Sequence, residues 1–299
     1  MKSKAEIESY SGFFDHSDHR IVYRLYRHKQ VSSGRRLVLL HGAGVAGRHT
    51  WEALQRFLTS WSEVLVPDLR GAGDTRSIEA QELPFTVDDL VGDIQALITE
   101  LNWHQFDLAG YSLGGLVSMV LKQRLPQCVA KQYLLESAAL DRLEWSDTLL
   151  TRQKFSEAAH SLKTVSLTEA GMASDVHSGI RQFLDTISPN RRITPAVERL
   201  TIERLAERSV GFAHALDAVT LAIQQLDRDA LLAVQGDVSS FIGSLSVDPM
   251  HQLHLSLAER MPNWHYFLIQ GTDHSLPYQK PRQIAAIMDQ ELQRFIATQ

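Results

Sequence analysis

The amino-acid sequence predicts an α/β protein with a mostly parallel sheet and a helical insertion. Two continuous apolar runs, Arg35–Leu40 and Val64–Asp68, are typical of strands that are buried on both faces of a sheet. Segments with helical periodicity lie between such runs, and this alternation indicates parallel βαβ units. Over residues 141–226 the composition changes to Arg, Glu, Ala, Ser and Leu with few β-branched clusters, which indicates a block of helices.

The elements follow in chain order from periodicity and from signals at their ends. A helix begins at Thr86, a good N-cap with Asp89 three residues later. Pro126 ends a second helix over Leu116–Leu125, and Thr194–Pro195 marks a helix start inside the insertion. A last amphipathic helix closes the chain. The predicted strands are Ile21–Tyr26, Arg35–Leu40, Val64–Asp68, Gln105–Gly110, Val129–Leu135, Ala230–Gly236 and Trp264–Gln270.

The position of the helical block determines the predicted domain organisation. The chain has 299 residues, which is about twice the length of an average domain. Strand signals return after the block, so it interrupts one sheet rather than following a finished one. We therefore predict one core, residues 1–140 and 227–299, with a helical cap of residues 141–226.

Charge and cysteine content narrow the function classes. Lys and Arg total 30 and Asp and Glu total 35, for a net charge of −5, so no nucleic-acid or membrane partner is expected. Cys128 is the only cysteine, which excludes an internal disulfide. The segment Met1–Glu8 is followed by no apolar stretch, and no run approaches the roughly 18 apolar residues of a membrane helix. We expect a soluble, cytoplasmic protein.

The segment Gly110–Gly115 reads Gly-Tyr-Ser-Leu-Gly-Gly and fits the pattern G-x-S-x-G between a predicted strand and a predicted helix. The serine of this pattern lies on a sharp, strained turn, and the glycines are needed because neighbouring chains approach too closely for a Cβ atom. The turn places the Ser112 hydroxyl at a helix N-terminus, where free N–H groups and the helix dipole favour developing negative charge. Ser112 is therefore the candidate nucleophile.

Two further segments fall where acyl chemistry at Ser112 needs them. His41–Gly44 follows an early buried strand, and in this motif class that loop supplies one backbone N–H of the oxyanion hole. We predict the N–H groups of Ala43 and Leu113 as the two donors. His274 follows the last predicted strand, at the carboxyl edge of the sheet, where a general base reaches the serine proton.

The order of these motifs resembles that of the α/β-hydrolase superfamily. The motifs are His41-Gly42, the loop Asp68–Asp74, Gly110–Gly115 and His274, and the similarity covers nearly the whole chain. The resemblance implies an eight-stranded, mostly parallel sheet, a Ser-His-acid triad, and a cap at the position of the helical insertion. Asp68–Asp74 resembles the D-x-x-G-x-G-x-S loop of the superfamily, and we interpret it as structural.

The acid of the triad is the member that the resemblance leaves open. In most relatives it follows the seventh strand, three residues after a glycine that Gly236 matches, and here that position is Ser239. A shifted loop would supply Asp237 or Asp248 instead. Other relatives place the acid at the end of the sixth strand, which corresponds to Glu136, and a carboxylate there orients the imidazole equally well. We favour Glu136 and keep Asp237 as the alternative.

Signals for metals and cofactors are weak. His251 and His254 fall on one helical face, yet no carboxylate at a suitable spacing completes a metal site. Neither a phosphate-binding G-x-x-x-x-G-K-[ST] pattern nor a dinucleotide pattern is present. We expect no metal and no cofactor.

The main hypothesis is a serine hydrolase that acts on an ester or related acyl bond of a small, partly apolar substrate, with the cap setting substrate choice. Thioesterase and carbon–carbon hydrolase activity stay open because the same triad serves them. Leu116 disfavours the menaquinone-pathway lyases of this fold, which usually have Arg there, and Ser112 disfavours the dehalogenase and epoxide-hydrolase branches, which carry Asp. A non-catalytic binding or receptor module is the remaining alternative, because no acid occupies the usual position after the seventh strand.

Overall fold

Nine strands form one sheet in the parts of the chain that the computed structural model describes, residues 7–138, 153–154, 156–163 and 172–299. In chain order they are β1 Ile7–His16, β2 His19–His28, β3 Arg36–Leu40, β4 Glu63–Pro67, β5 Arg76–Ser77, β6 Phe106–Tyr111, β7 Val129–Leu135, β8 Val238–Gly243 and β9 Trp264–Ile269. The order across the sheet is β1-β2-β4-β3-β6-β7-β8-β9, with the two-residue β5 paired to β2. The resemblance implied eight strands, and the strands predicted individually included neither β1 nor β5.

Strand direction follows the predicted parallel pattern. From β4 to β9 every neighbouring pair is parallel, whereas β1 pairs antiparallel with β2 and β2 pairs antiparallel with β4 and β5. The carboxyl ends of β3, β6, β7, β8 and β9 therefore share one edge of the sheet. Loops that follow these strands are brought together there.

Helices cover the sheet. In the described parts of the chain they are α1 Gly47–Gln55, α2 Val87–Glu100, α3 Leu113–Arg124, α4 Met172–Ile187, α5 Pro195–Ala206, α6 Ser209–Gln225, α7 Arg228–Ala233, α8 Asp248–Arg260, α9 Leu276–Gln279 and α10 Pro281–Ala297. Residues 153–154 and 156–163 are helical as well. None of the helices within these described residues is both long and apolar enough to cross a membrane.

Both faces of the sheet are buried, which explains the continuous apolar runs. Leu37 and Leu39 of β3 pack on one face with side chains of α1 and α10. Val38 and Leu40, which point the opposite way, pack with side chains of α2 and α3. All four side chains are fully buried, because successive residues of a strand alternate between the two layers of helices.

The start of α2 matches the prediction. The Thr86 hydroxyl accepts a hydrogen bond from the Asp89 N–H, and the Asp89 carboxylate accepts from the Thr86 N–H at 2.7 Å. This reciprocal pair satisfies two of the N–H groups that a helix start leaves unpaired. The capping box is confirmed.

The strand that was predicted over Ala230–Gly236 is wrong. Residues Arg228–Ala233 form helix α7, and the Asp227 side chain caps it by accepting from the Ala230 N–H at 3.0 Å. Periodicity does not separate a short buried helix from a buried strand when the apolar run is this short. The strand itself is β8, which begins eight residues later than predicted and ends at Gly243.

The helices α4, α5 and α6 fall within the predicted insertion, residues 141–226, whose first residues lie outside the described part of the chain. Phe212 of α6 packs on the loop after β3 so closely that a Cβ atom at Gly44 would lie 2.7 Å from its ring. Arg208 forms a bidentate ion pair with Glu82 and donates to backbone carbonyls of the loop after β4. These contacts join the described helices of the insertion to the carboxyl edge of the sheet.

Candidate active site

Ser112 lies on the sharp turn between β6 and α3. Its backbone angles, φ 52° and ψ −117°, belong to a region that residues other than glycine rarely adopt. A Cβ atom at Gly110 would collide with the carbonyl oxygen of Gly114, and a Cβ atom at Gly114 would collide with that of Leu40. The two glycines of the motif thus allow the turn to pack against β3, and the strained backbone places Ser112 at the start of α3.

His274 lies in the loop between β9 and α9 and faces Ser112. Its Nε2 atom is 3.2 Å from the Ser112 Oγ, and its Nδ1 atom is 3.3 Å from Oε2 of Glu136. The ring is nearly buried and contacts the Tyr111 ring, with 5.2 Å between the ring centroids. The structure therefore brings Ser112, His274 and Glu136 together as a chain of hydrogen-bonding contacts.

Glu136 follows the last residue of β7, in a left-handed conformation with φ 45°, and its side chain is buried. Its Oε1 atom accepts hydrogen bonds from the Gly243 N–H at 2.7 Å and from the Ser246 hydroxyl at 2.5 Å. Burial raises the pKa of the Glu136 carboxyl, but the contacts with His274, Ser246 and Gly243 outweigh burial and hold that pKa below its ordinary value of 4.5. Glu136 is thus held as a carboxylate beside the imidazole.

Asp237, the alternative acid, lies at the amino ends of the strands, opposite the carboxyl ends where Ser112 and His274 lie. It precedes β8, and its carbonyl oxygen pairs with the N–H of Gln132, four residues before Glu136 in the adjacent strand. Four strand residues correspond to about 13 Å. The Asp237 carboxylate forms ion pairs with Lys131 and Arg294 instead. The structure does not bring Asp237 to His274.

The charges around Asp237 form a partly buried cluster. Burial raises the pKa of the Asp237 carboxyl, but the hydrogen bonds and charges of Lys131 and Arg294 hold it below its ordinary value. The Ser239 hydroxyl, at the position first matched to the triad acid, accepts a hydrogen bond from Lys131 and donates one to Glu291. Ser239 therefore belongs to this cluster and not to the site of Ser112.

Because β8 ends at Gly243, a different residue occupies the position of the triad acid of most relatives. The glycine that ends this strand is Gly243, so the position three residues later is Ser246 rather than Ser239. Ser246 was not among the predicted site residues, although it contacts Glu136 directly. The signal that would have found it is the second strand-like run, Val238–Gly243, which is apolar near its end and closes on a glycine.

The loop after β3 lies against the nucleophile. A Cβ atom at Gly42 would lie 3.2 Å from the Cβ of Ser112, which places the neighbouring Ala43 beside the site. Buried His41 orders this loop: its Nδ1 is 2.6 Å from the Gly42 carbonyl oxygen, and its Nε2 accepts from the Leu69 N–H at 2.8 Å. Burial lowers the pKa of His41, so the ring is neutral and carries its proton on Nδ1.

The loop after β4 is organised by the buried carboxylate of Asp68. Its two oxygens accept hydrogen bonds from the N–H of Gly47, the first residue of α1, and from the N–H of Asp74 at the far end of the loop. One side chain therefore holds the loop closed and joins it to α1. These contacts agree with a structural function for the loop.

Within the described residues, no group of three or more His, Cys, Asp or Glu side chains is arranged to hold a metal ion. His251 and His254 both lie on α8. The Nδ1 atom of His251 is 2.9 Å from the Tyr266 hydroxyl, and His254 is fully buried beside Trp264.

The fold and the arrangement at Ser112 define a class of protein that comparison with known sequences identifies. The chain matches the model of the Alpha/beta hydrolase family over residues 37–287, and it belongs to that family. Lipase LipV of Mycobacterium tuberculosis is 26% identical over 264 residues, which are 86% of this chain and 93% of the lipase.

Two further comparisons describe what the chain is similar to in sequence and in fold. Ethanol acetyltransferase 1 of Cyberlindnera fabianii is 29% identical over 118 residues, 39% of this chain, and the match spans only about a third (34%) of that relative. Among solved structures, a hydrolase from Pseudomonas aeruginosa superposes with a TM-score of 0.69 at 20% identity, covering 94% of this chain and 98% of that one. At that identity the superposition shows the fold alone.

Proposed function

We propose that this protein is a serine hydrolase that cleaves an ester or related acyl bond of a small, partly apolar substrate. The observation that carries the proposal is the contact chain from the Ser112 Oγ through the two ring nitrogens of His274 to Glu136 Oε2, at 3.2 and 3.3 Å. A serine, an imidazole and a buried carboxylate in this order form the arrangement that activates a hydroxyl for nucleophilic attack.

In the first half of the reaction, the Ser112 Oγ attacks the carbonyl carbon of the substrate while His274 Nε2 takes the hydroxyl proton. The imidazolium that forms is stabilised by Glu136, which stays ionised and accepts from the Nδ1–H. The depressed pKa of Glu136 supports this part of the mechanism, because only the ionised carboxylate stabilises the imidazolium. The leaving alcohol then departs with the proton from Nε2, and an acyl ester with Ser112 remains.

In this proposal two backbone donors, the N–H groups of Ala43 and Leu113, stabilise the negative charge that develops on the carbonyl oxygen. Leu113 is the first residue of α3, and the first N–H groups of a helix have no partner within it. Ala43 follows Gly42, whose Cα lies against the Ser112 side chain. Backbone donors of this kind stabilise the oxyanion without reorganising, which is worth about 3–4 kcal/mol for each donor.

In the second half, His274 Nε2 removes a proton from water, and the hydroxide attacks the acyl carbon of the Ser112 ester. Collapse of the second tetrahedral intermediate returns the proton to the Ser112 Oγ and releases the carboxylic acid. An ester and water are thereby converted to an acid and an alcohol, with the enzyme unchanged. Residues 141–226, as a cap over this edge of the sheet, set the choice of substrate in this proposal.

The test uses a fluorophosphonate probe, an electrophile that reacts preferentially with an activated serine. We expect one adduct, located at Ser112 by mass spectrometry, and none in Ser112→Ala. Ser118→Ala is the matched control, because Ser118 is a fully buried serine of α3 whose hydroxyl bonds to the Gly114 carbonyl oxygen. Failure of the folded wild-type protein to react would contradict the serine hydrolase mechanism.

A second candidate is transfer of the acyl group to an alcohol instead of water. The match with the ethanol acetyltransferases favours it, and the chemistry needs only that an alcohol replaces water in the second half of the reaction. Acyl-enzyme formed from an aryl acetate, with ethanol added, would yield ethyl acetate in place of acetate. The ratio of the two products, measured by gas chromatography, separates the candidates.

A further inference from the structure

The chain at the end of β8, residues 243–246, contacts both Glu136 and the segment that carries His274. Its first and last residues donate hydrogen bonds to Oε1 of Glu136, from the Gly243 N–H at 2.7 Å and from the Ser246 hydroxyl at 2.5 Å. The other carboxylate oxygen, Oε2, is the one that faces His274. Hydrogen bonds to Oε1 therefore fix the Glu136 carboxylate, and Oε2 is the oxygen that interacts with His274.

The same loop holds the segment that carries His274. The Leu245 N–H donates to the Thr272 carbonyl oxygen at 2.8 Å, and the Ser244 hydroxyl accepts from the Gly271 N–H at 2.8 Å. A Cβ atom at Gly243 would lie 2.5 Å from the Thr272 carbonyl oxygen, so only glycine permits this approach. One four-residue loop thus fixes where the two side chains meet.

We propose that Ser246 is a positioning residue for the acid of the triad, which rests on the proposed function of Ser112, His274 and Glu136. By donating to Oε1, Ser246 keeps the Glu136 carboxylate in one rotamer with Oε2 directed at His274 Nδ1. It also donates a hydrogen bond that is stronger to the ionised carboxylate than to the neutral acid, at a site where Ser246 itself is only 5% exposed. Ser246 does not contact the reacting atoms, so it affects the rate only through its hydrogen bond to Glu136.

The physical reason is the cost of a buried carboxylate. Removing Glu136 from water favours its protonated form, and each hydrogen bond to the carboxylate offsets part of that cost. With Ser246 truncated, Oε1 keeps only the Gly243 N–H, and the carboxyl is both freer to rotate and easier to protonate. Either change weakens the stabilisation of the imidazolium that forms when His274 takes the serine proton.

The test compares Ser246→Ala with Ser246→Thr and with Ser244→Ala. We expect Ser246→Ala to lower kcat about tenfold with KM little changed, because one hydrogen bond to a charged group is lost. Ser246→Thr keeps the hydroxyl and should restore most of the rate. Ser244→Ala is the matched control for the state of the Glu136 carboxyl, since Ser244 lies in the same loop and bonds to the His274 segment but not to Glu136.

Two further measurements separate positioning from a merely structural contribution. In a Glu136→Gln background, Ser246→Ala should cost no additional activity, because the interaction through which it acts is already gone. The pKa of the Glu136 carboxyl, followed by carbon-13 NMR with Glu136→Gln to assign the signal, should rise in Ser246→Ala and stay unchanged in Ser244→Ala.

A wild-type rate with an unchanged Glu136 pKa in Ser246→Ala would overturn the proposal, and so would a further tenfold loss in the Glu136→Gln background. Thermal unfolding checks that each variant is folded. If the wild-type protein neither hydrolyses an aryl ester nor reacts with a fluorophosphonate, the proposed function fails. The NMR titration still decides whether Ser246 controls Glu136, because it needs no activity.

Discussion

The Nδ1 atom of His274 lies 3.3 Å from Oε2 of Glu136, across 138 residues of sequence. Both residues follow the ends of parallel strands, β9 and β7, and β8 with its loop lies between them. Glu136 adopts a left-handed backbone conformation directly after β7, with φ 45°. A turn at that residue, rather than continuation of the strand, directs the carboxylate to the imidazole.

Glu136→Gln should lower kcat on an aryl ester by about 10²–10⁴ and leave KM nearly unchanged. The amide cannot stabilise the imidazolium and does not select the Nδ1–H tautomer of His274. Steady-state rates, together with the rate of fluorophosphonate labelling, measure the effect. Full activity in this variant would mean that Glu136 is not the acid of the triad.

Asp237→Asn should have the opposite profile, with nearly normal activity and reduced stability. It removes the nearest carboxylate from Lys131, whose side chain is fully buried and keeps Ser239 and the more distant Glu291, so the loss should cost about 1–3 kcal/mol. Urea unfolding measures the cost. Glu52→Gln is the control, because the Glu52–Arg56 pair lies at the surface and should contribute little. Loss of activity in a stable, folded Asp237→Asn variant would contradict this assignment.

The stability contributed by Glu136 should depend on pH in a defined direction. Its pKa in the folded protein is below 4.5, so its contribution is fully present above pH 4.5 and is lost as the pH falls through the folded pKa. The difference in free energy of unfolding between wild type and Glu136→Gln should shift against the wild type as the pH falls below about 4.5. Urea titrations at each pH measure it, and a difference that moves the other way would show that burial dominates.

Gly42→Ala should impair catalysis more than stability. A Cβ atom there would lie 2.9 Å from the Tyr111 ring and 3.2 Å from the Cβ of Ser112, so the ring that contacts His274 or the loop itself has to shift. A misplacement of about 1 Å costs about 10²-fold in rate. Gly92→Ala is the control, because its Cβ would meet nothing closer than 3.8 Å inside α2 and alanine favours a helix by about 1 kcal/mol. Equal rates for the two variants would contradict the prediction.

Arg208→Gln should loosen the insertion from the core. The Arg208 guanidinium donates to both oxygens of Glu82 and to carbonyl oxygens of Ala72 and Thr75, and its loss should cost about 1.5–3 kcal/mol. We expect a lower melting temperature, faster proteolysis within residues 172–225 and a higher KM. Arg199→Gln, on the exposed face of α5, is the matched control. An unchanged proteolysis rate in Arg208→Gln would show that other contacts hold the insertion.

Much of the fold is readable from local patterns. Runs such as Arg36–Leu40 have no polar face because both sides of the strand meet helices, and the capping box at Thr86 is complete within four residues. The serine turn is equally local, since the glycines that it needs lie within two positions of Ser112. Such patterns can be recognised in the sequence because the interactions that produce them join residues that are near one another in the chain.

Two features were decided only by the tertiary structure. The run around Leu231 and Leu232 suits a strand or a short buried helix, and it became α7 because the Asp227 cap and burial against the core favoured the helix. The choice between Glu136 and Asp237 depended in turn on where β8 begins. Asp237 precedes β8 and pairs with Lys131 at the amino ends of the strands. Glu136 follows β7, the strand next to β8, and faces His274 at the carboxyl ends.

Local sequence patterns carry the residue types that acyl chemistry needs and most of the order in which strands and helices follow one another. Which carboxylate meets the imidazole was decided by strand register. A carboxylate before one parallel strand and one after its neighbour are separated along the strand direction, by about 13 Å here, although both are equally plausible as sequence neighbours of a strand. Ser246 and its contact with Glu136 became visible for the same reason, once β8 was known to end at Gly243.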